Sequence, residues 1–285
     1  MVEERNRGGV PEFTVHSLLR SPTVTIRDTD CQGSCRSMSP EECTSTTQLI
    51  FPYRGVYVHH VGQDQAVAEA NQVLFFNAYE KYRVSHPVPG GDGSLTLVID
   101  EAHLHEMARP DILHRSSRIT FRQRRLRIDA RAQALVALLR HRLHQNVAEP
   151  LEAEALALTL VRRTLGPRSS HAPGATVGRQ KLVDRAKLLL SSDVMRRWTL
   201  SEIASELRVS PVYLTQVFQQ VEGLPLYRYQ LQLRLARALD LLGRSNDLTT
   251  LAFELGFSSH SHFSSAFRQQ YGYSPTTFKR SALDR

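Results

Sequence analysis

The chain has 285 residues, room for two or three domains, and a formal charge of +8 with 41% hydrophobic residues. No apolar run approaches the ~20 residues of a membrane span, and the opening MVEERNRGGV lacks the hydrophobic core of a signal peptide. Three cysteines, an odd number without an export signal, fit a reducing compartment, so the expectation is a cytoplasmic protein with no membrane contact.

Residues 1–46 are polar and turn-rich, with no periodicity that assigns an element. They hold all three cysteines. Cys31 and Cys35 have the spacing of half a zinc site, but with Cys43 they remain one ligand short. Ordinary residues are the expectation, and neither a metal nor a cofactor is assigned.

From Gln48 to Ile99 the pattern is β. The runs QLIF, GVYVHHV, QAVAE, QVLFF, KYRVS and SLTLVI are rich in β-branched and aromatic residues, and GQDQ, EANQ and PVPGGDGS separate them as turns. Many short strands of this kind make a small barrel or sandwich, which can hold a small ligand. Period-2 alternation puts Val56, Val58 and His60 on one face, and with Phe76, Tyr82 and Val84 from later strands they are the candidate pocket wall. Alternation does not decide which face points inward. Arg54 and Arg83 are the only arginines near these strands, so a small, partly apolar molecule is the expected ligand. A barrel filled by its own side chains is the alternative.

His103-x-His105-Glu106 imitates metal-binding spacing, but it follows the last strand and no metal is assigned to it. RSSRITFRQRRLR, residues 115–127, is densely basic and is read as a solvated edge strand or helix face rather than a DNA or anion contact. From Phe121 to Leu165 the pattern turns helical. Leu135, Leu138, Leu139 and Leu143 mark one helix; Leu151, Ala155, Leu158 and Val161 mark a second, with Pro150 at its first turn. The pair is either a packing layer of the β domain or a dimer interface. GPRSSHAPGATVG, residues 166–178, reads as a linker.

Beyond it, residues 178–285 carry 15 Lys and Arg against 9 Asp and Glu, a net +6 that suits a polyanionic partner. Two segments in this region repeat each other. LSEIASEL-RVS-PVYLTQVFQQV places Leu200, Ile203, Ala204 and Leu207 at i, i+3, i+4 and i+7; LTTLAFEL-GFSSH-SHFSSAFRQQY does the same with Leu248, Leu251, Ala252 and Leu255. Each short helix is followed by a tight turn and a second apolar stripe, Leu214/Val217/Phe218 and Phe263/Ala266/Phe267. A glycine then closes each unit, Gly223 and Gly272, with an aromatic six residues on, Tyr229 and Phe278. Two short helices joined by a turn form a helix-turn-helix, whose second helix enters a DNA major groove. A helical stretch, PLYRYQLQLRLARALDLL, joins the two units; Leu231, Leu235, Ala238, Leu239 and Leu242 are expected to be buried, with Arg234, Arg237 and Arg244 facing phosphates.

The stretch GFSSHSHFSSAFRQQYGYSP, with the earlier copy LSEIASELRVSPVYLTQVFQQVEG, resembles the AraC/XylS family of bacterial transcription regulators. The resemblance is close over about 100 residues. RGVYVHHVG through ANQVLFFNAYEKYRVSHPVPGGDG resembles, more loosely, the cupin-like sensing domains of that family. Carried over by position, the first recognition helix starts after Ser210, a good N-cap followed by Pro211. Val212, Thr215 and Gln216 then point away from the core stripe: Gln can pair with adenine, Thr and Val can touch a thymine methyl. In the second copy Ser259 caps, and His260, Ser261, Ser264, Ser265 and Arg268 face DNA. Family members often place arginine where Ser265 stands, so this chain's second helix is expected to hold phosphate more than to read bases. His262 reads as a structural helix-start residue.

The expected fold is α+β: a β-rich cupin-like barrel over 1–117, a helix pair over 118–165 that dimerises the chain, a linker over 166–177, and an all-α DNA-binding domain over 178–285 with helix-turn-helix units at 199–221 and 247–271. The expected function is sequence-specific regulation of transcription on double-stranded DNA, as a homodimer, under a small-molecule effector, with RNA polymerase as a further partner. No G-x-S-x-G, no Gly-rich phosphate loop followed by Lys and no H-E-x-x-H is present, so no enzyme activity is expected. A cupin-type metal enzyme with an appended DNA-binding tail, and a non-sensing nucleoid protein, are the alternatives.

Overall fold

The computed structural model describes residues 2–7, 10–33, 37–115, 118–166 and 176–283, with side chains from residue 13 onward. The chain divides into two compact units: residues 1–170 with 276–285, and residues 171–275. Most of the stretch read as a linker, residues 167–175, lies outside the described residues, as does Cys35.

The first unit is built from strands β1 (Val2–Arg7), β2 (Val10–Arg20), β3 (Val24–Cys31), β4 (Gln48–Arg54), β5 (Tyr57–Val61), β6 (Asp64–Ala68), β7 (Gln72–Phe76), β8 (Arg83–Ser85) and β9 (Asp92–Ile99), then helix α1 (Glu101–Met107) and strand β10 (Arg125–Arg127). They pair antiparallel in two sheets, one ordered β1-β2-β3-β9-β4-β7-β10 and one ordered β6-β5-β8. Pro52 sits in β4 beyond the residues that pair with β7 and beside a register shift against β9, so its missing N–H interrupts no ladder there.

The two faces of the large sheet differ, as a period of two requires. Val24 and Ile26, Leu49 and Phe51, Val73 and Phe75, and Leu95 and Leu97 point to a core shared with α2 (Ala130–His144) and α3 (Pro150–Leu165). The alternate residues Ile50, Leu74 and Phe76 meet the small sheet through Tyr57, Ala66 and Ala68.

The strands expected over 48–99 are β4 to β9. The three preceding strands lie in the stretch 1–46, to which periodicity assigns no element; in β3 a carboxylate breaks the apolar alternation, Asp28 occupying a core-facing position between Ile26 and the end of the strand. Its charge is compensated from three sides. Arg140 Nε donates to it at 3.0 Å, Tyr53 Oη donates at 2.8 Å, and His144 bonds the same carboxylate. The helix pair also turns differently from its apparent stripe. On α3 the buried face is Ala153, Ala157, Leu160, Val161 and Thr164, while Leu151 is 78% exposed and Ala155 is exposed. Alanines allow α3 to approach closely, and the larger leucine is left outside. His103 and His105 lie on α1, off the strands.

The second unit is helical: α4 (Val177–Ser192), α5 (Leu200–Leu207), α6 (Pro211–Glu222), α7 (Leu226–Leu242), α8 (Leu248–Glu254) and α9 (His260–Tyr271); a last helix, α10 (Pro275–Leu283), groups from residue 276 with the first unit. Thr199 and Glu202 form a reciprocal capping box at the start of α5, and Asp247 caps α8 through the Thr249 and Thr250 N–H groups. One core gathers α4, α5, α6 and the first half of α7 around Phe218 and Tyr229. Around α8 and α9 a chain of aromatic contacts runs through Phe257, Phe263, Phe267 and Tyr271. Leu235, Ala238, Leu239 and Leu242 of α7 are buried as expected, whereas Leu231 is only half-buried. Lys187 is fully buried and paired with Glu222 at 2.6 Å, which ties α4 to α6. Among the described residues no helix is long and apolar enough to cross a membrane.

Candidate nucleic-acid interface and ligand cavity

Helix α6 starts where Ser210 Oγ accepts the N–H of Tyr213 at 3.2 Å, with Pro211 in the first turn, and ends at Gly223 in the left-handed conformation. Leu214, Val217 and Phe218 are spent on the core. Val212, 68% exposed, and Gln216 are on the open face; Thr215 is half-buried and its hydroxyl donates to the Pro211 carbonyl. Helix α9 repeats this plan. Ser259 Oγ accepts the N–H of His262, and Gly272 ends the helix. His260, Ser261, Ser265 and Arg268 are exposed; Ser264 is half-buried and hydrogen-bonds His260. His262 packs its ring on Phe257 and bonds Ser258, the structural place expected of it.

The 17-residue α7, about 26 Å long, contacts α6 near one end and α8 and α9 further on. Its arginines depart from expectation. Arg234 Nε donates to the Val194 carbonyl at 3.1 Å and its Nη2 to the Arg196 carbonyl at 2.9 Å, so it is not directed at phosphate. Arg237 is paired with Asp240, and only Arg244 of the three is exposed. The carbonyls that Arg234 holds belong to the segment between α4 and α5. From that segment Arg197 Nε reaches the Gly256 carbonyl, in the turn of the second helix pair, at 3.0 Å. Gly256 has φ +76°, and a Cβ there would lie 2.5 Å from the Met195 oxygen. Segment 193–198 therefore braces the second helix-turn-helix against the first. Nothing in the repeat pattern pointed to this brace, because it joins residues outside both copies.

In the first unit a cavity of about 820 Å³ opens between the sheets. Of the candidate wall residues, Phe76, Tyr82 and Val84 line it; Val56, Val58 and His60 are not among its lining residues. On β5 Tyr57 takes the cavity side, and His60 points to the other face and bonds Ser85 Oγ at 2.9 Å. His59, between them, stacks on Phe76 with ring centroids 3.9 Å apart, and burial pulls it down to about 3, so it is neutral. The cavity's polar wall includes Arg27 and Thr29 of β3 and Ser94 and Thr96 of β9, with further polar residues from the segment 37–48. Arg27 Nε is buried with no hydrogen-bond partner among the described residues. Cys31, His86 and Asp92 meet on the same wall. Burial opposes the charge on His86, but its contacts with Asp92 and Cys31 outweigh that and push it up to about 10. Burial, with Asp92 adding to it, pushes the Tyr57 hydroxyl well above its ordinary range. The basic run at 115–127 is largely engaged within this unit: Arg122 donates to the Leu113 carbonyl and Arg124 pairs with Glu80 at 2.5 Å.

Two helix-turn-helix units sharing a connector helix define the class of the second unit. Residues 203–281 match the family described as "Helix-turn-helix domain". The chain is 29% identical over 161 residues to the probable transcriptional regulator LumQ of Photobacterium leiognathi, covering 53% of this chain and 61% of that one. It is 27% identical over 245 residues to the HTH-type transcriptional regulator GadX of Escherichia coli O6:H1, covering 83% and 84%. A putative AraC-like transcription regulator of Streptomyces antibioticus is 29% identical over 153 residues, covering 52% and 50%. The chain thus spans between half and five-sixths of the length of these relatives. Residues 203–281 thus carry a helix-turn-helix domain, and the chain is similar to a regulator described as AraC-like.

Proposed function

We propose that the protein is a cytoplasmic, non-enzymatic transcription regulator that binds double-stranded DNA at specific sequences. The observation that carries this reading is the pair of capped recognition helices, α6 and α9, whose outward residues are free of the core while segment 193–198 locks the two units together. Val212, Thr215 and Gln216 contact bases; His260, Ser261, Ser264, Ser265 and Arg268 serve mainly phosphates. A small molecule in the N-terminal cavity, against Phe76, Tyr82 and Val84, supplies the signal, and it shifts DNA affinity by its differential affinity for two states of the protein. Arg27 offers a donor to an oxygen-bearing group of that molecule. Dimerisation uses the outer face of α3, where Leu151 and Ala155 stand exposed, and a DNA-bound dimer presents a surface to RNA polymerase.

The test is a binding titration of the full chain with duplexes from its own upstream region and scrambled controls, over a range of salt. The expected result is a sequence preference of at least ~10³-fold and an affinity that falls steeply with salt as counterions are released. Equal affinity for all duplexes would replace this reading by a nucleoid-type role.

A further inference from the structure

We propose that Cys31, His86 and Asp92 form a binding site for a divalent transition-metal ion of the zinc class, with one coordination position open to the N-terminal cavity. The sequence pairs Cys31 with Cys35 by proximity. The fold gives Cys31 partners 55 and 61 residues away.

The topology builds the site. Cys31, the last residue of β3, and Asp92, the first of β9, are direct register partners. Side chains of such partners leave the sheet on one face, with Cβ atoms about 4.5–5.5 Å apart. Gly91, at φ +70°, makes the approach tighter than a side chain would allow: a Cβ there would lie 2.3 Å from the Cys31 carbonyl oxygen. His86 enters from the small sheet, one residue past the end of β8.

The donor atoms converge. Cys31 Sγ is 3.5 Å from His86 Nε2, Asp92 Oδ2 is 2.9 Å from the same nitrogen, and all three atoms lie within 4.8 Å of one another. With zinc–sulfur bonds of about 2.3 Å and zinc–nitrogen or –oxygen bonds of about 2.0–2.1 Å, tetrahedral donors stand roughly 3.3–3.6 Å apart. The sulfur–nitrogen separation already meets that value, and the carboxylate has to retreat by only a few tenths of an ångström.

The Asp92 side chain is 8% exposed, and its Oδ2 faces His86 Nε2 at 2.9 Å. A single Nε2 position faces both this oxygen and the Cys31 sulfur, so one proton cannot serve both acceptors in good geometry. A metal ion accepts a lone pair from all three. Outer contacts hold two of the ligands: the Gly33 N–H donates to Cys31 Sγ at 3.4 Å, and Arg54 Nη2 donates to the Asp92 carbonyl at 3.1 Å. Thiolate and imidazole favour zinc, cobalt or copper over magnesium and calcium. Three protein ligands leave the fourth position for an outside ligand. All three residues line the cavity, so that position faces it.

This proposal does not rest on DNA binding, and its test is read without DNA. The reduced, chelator-stripped full chain is titrated anaerobically with Co²⁺ and then Zn²⁺. One equivalent of Co²⁺ should bind with a thiolate-to-cobalt charge-transfer band that Zn²⁺ abolishes. The Cys35→Ser, Cys43→Ser double variant, which keeps Cys31 as its one thiol, should retain the band. Cys31→Ser should lose it, and His86→Gln and Asp92→Asn should each weaken Zn²⁺ binding by at least about 10–100-fold, the range seen for losing merely an outer-shell partner. Absence of stoichiometric binding in the wild type, or loss of the band in the double variant, overturns the proposal whether or not the ligand variants fold; it would leave an imidazolium held between carboxylate and thiol.

Discussion

Helix α6 sets two residues, two positions apart, to opposite tasks, and separating them tests how this helix works. Leu214 is fully buried, whereas Gln216 is exposed. Leu214→Ala deletes three carbons from a closed core; at about 0.8 kcal/mol each the transfer loss is ~2.4 kcal/mol, and the cavity left behind brings it to roughly 2.7–5 kcal/mol. In a unit of about one hundred residues each kcal/mol moves the melting temperature by about 4 °C or more, so a fall of roughly 10–20 °C is expected. Gln216→Ala should change stability by no more than about 0.5 kcal/mol. It should instead remove ~1–3 kcal/mol of discrimination, roughly 5–150-fold, at a single base pair. Thermal unfolding followed by circular dichroism reads the first effect. Affinities at fixed salt for the binding site and its single-base variants read the second. Uniform weakening on every sequence by Gln216→Ala, or an unchanged melting temperature for Leu214→Ala, would refute this division of the helix.

Lys187→Ala removes the buried cation that faces the Glu222 carboxylate and should cost about 3–5 kcal/mol in urea unfolding, while the Lys187→Met, Glu222→Leu double variant should recover most of it. Gly256→Ala forces a strained backbone and a clash with the Met195 oxygen; about 1–3 kcal/mol of stability and a drop in DNA affinity should appear together in unfolding and binding titrations. Burial alone would raise the Asp28 carboxyl, but His144, Arg140 and Tyr53 outweigh it and hold the group below its ordinary 3.8. Because the folded value is the lower one, the stabilisation is complete above the unfolded pKa and is lost as pH falls through the folded value. The stability gap between wild type and Asp28→Asn, followed by urea unfolding from neutral pH downward, should therefore be widest above about pH 4 and narrow below it.

The repeated helix pairs were legible because each buries a stripe at helical spacing and closes with glycine, and α5, α6, α8 and α9 form where those stripes stand. The strands from Gln48 to Ile99 were legible for the same local reason. What escaped depends on distant partners. Asp28 disrupts the alternation of β3, and only Arg140 and His144, more than 100 residues on, make its burial tolerable. Alternation grouped Val58 with His60 but could not choose the inward face; in the fold the cavity side of β5 belongs to Tyr57. Arg234 has the sequence context of a phosphate ligand, yet two backbone carbonyls of a loop outside the repeat engage it. Cys31, His86 and Asp92 carry no shared motif; the pairing of β3 with β9 joins two of them, and His86 comes from beyond β8 of the small sheet.

Mapping major-groove protection on a binding site, with the full chain and its Gln216→Ala variant, tests whether α6 and α9 engage DNA as one rigid pair. The account predicts two protected segments per protein chain, centred about one helical turn, roughly 34 Å, apart on one face of the duplex. It also predicts that the variant loses selectivity at one base pair of one segment only. A single protected segment, or protection indifferent to sequence, would contradict it.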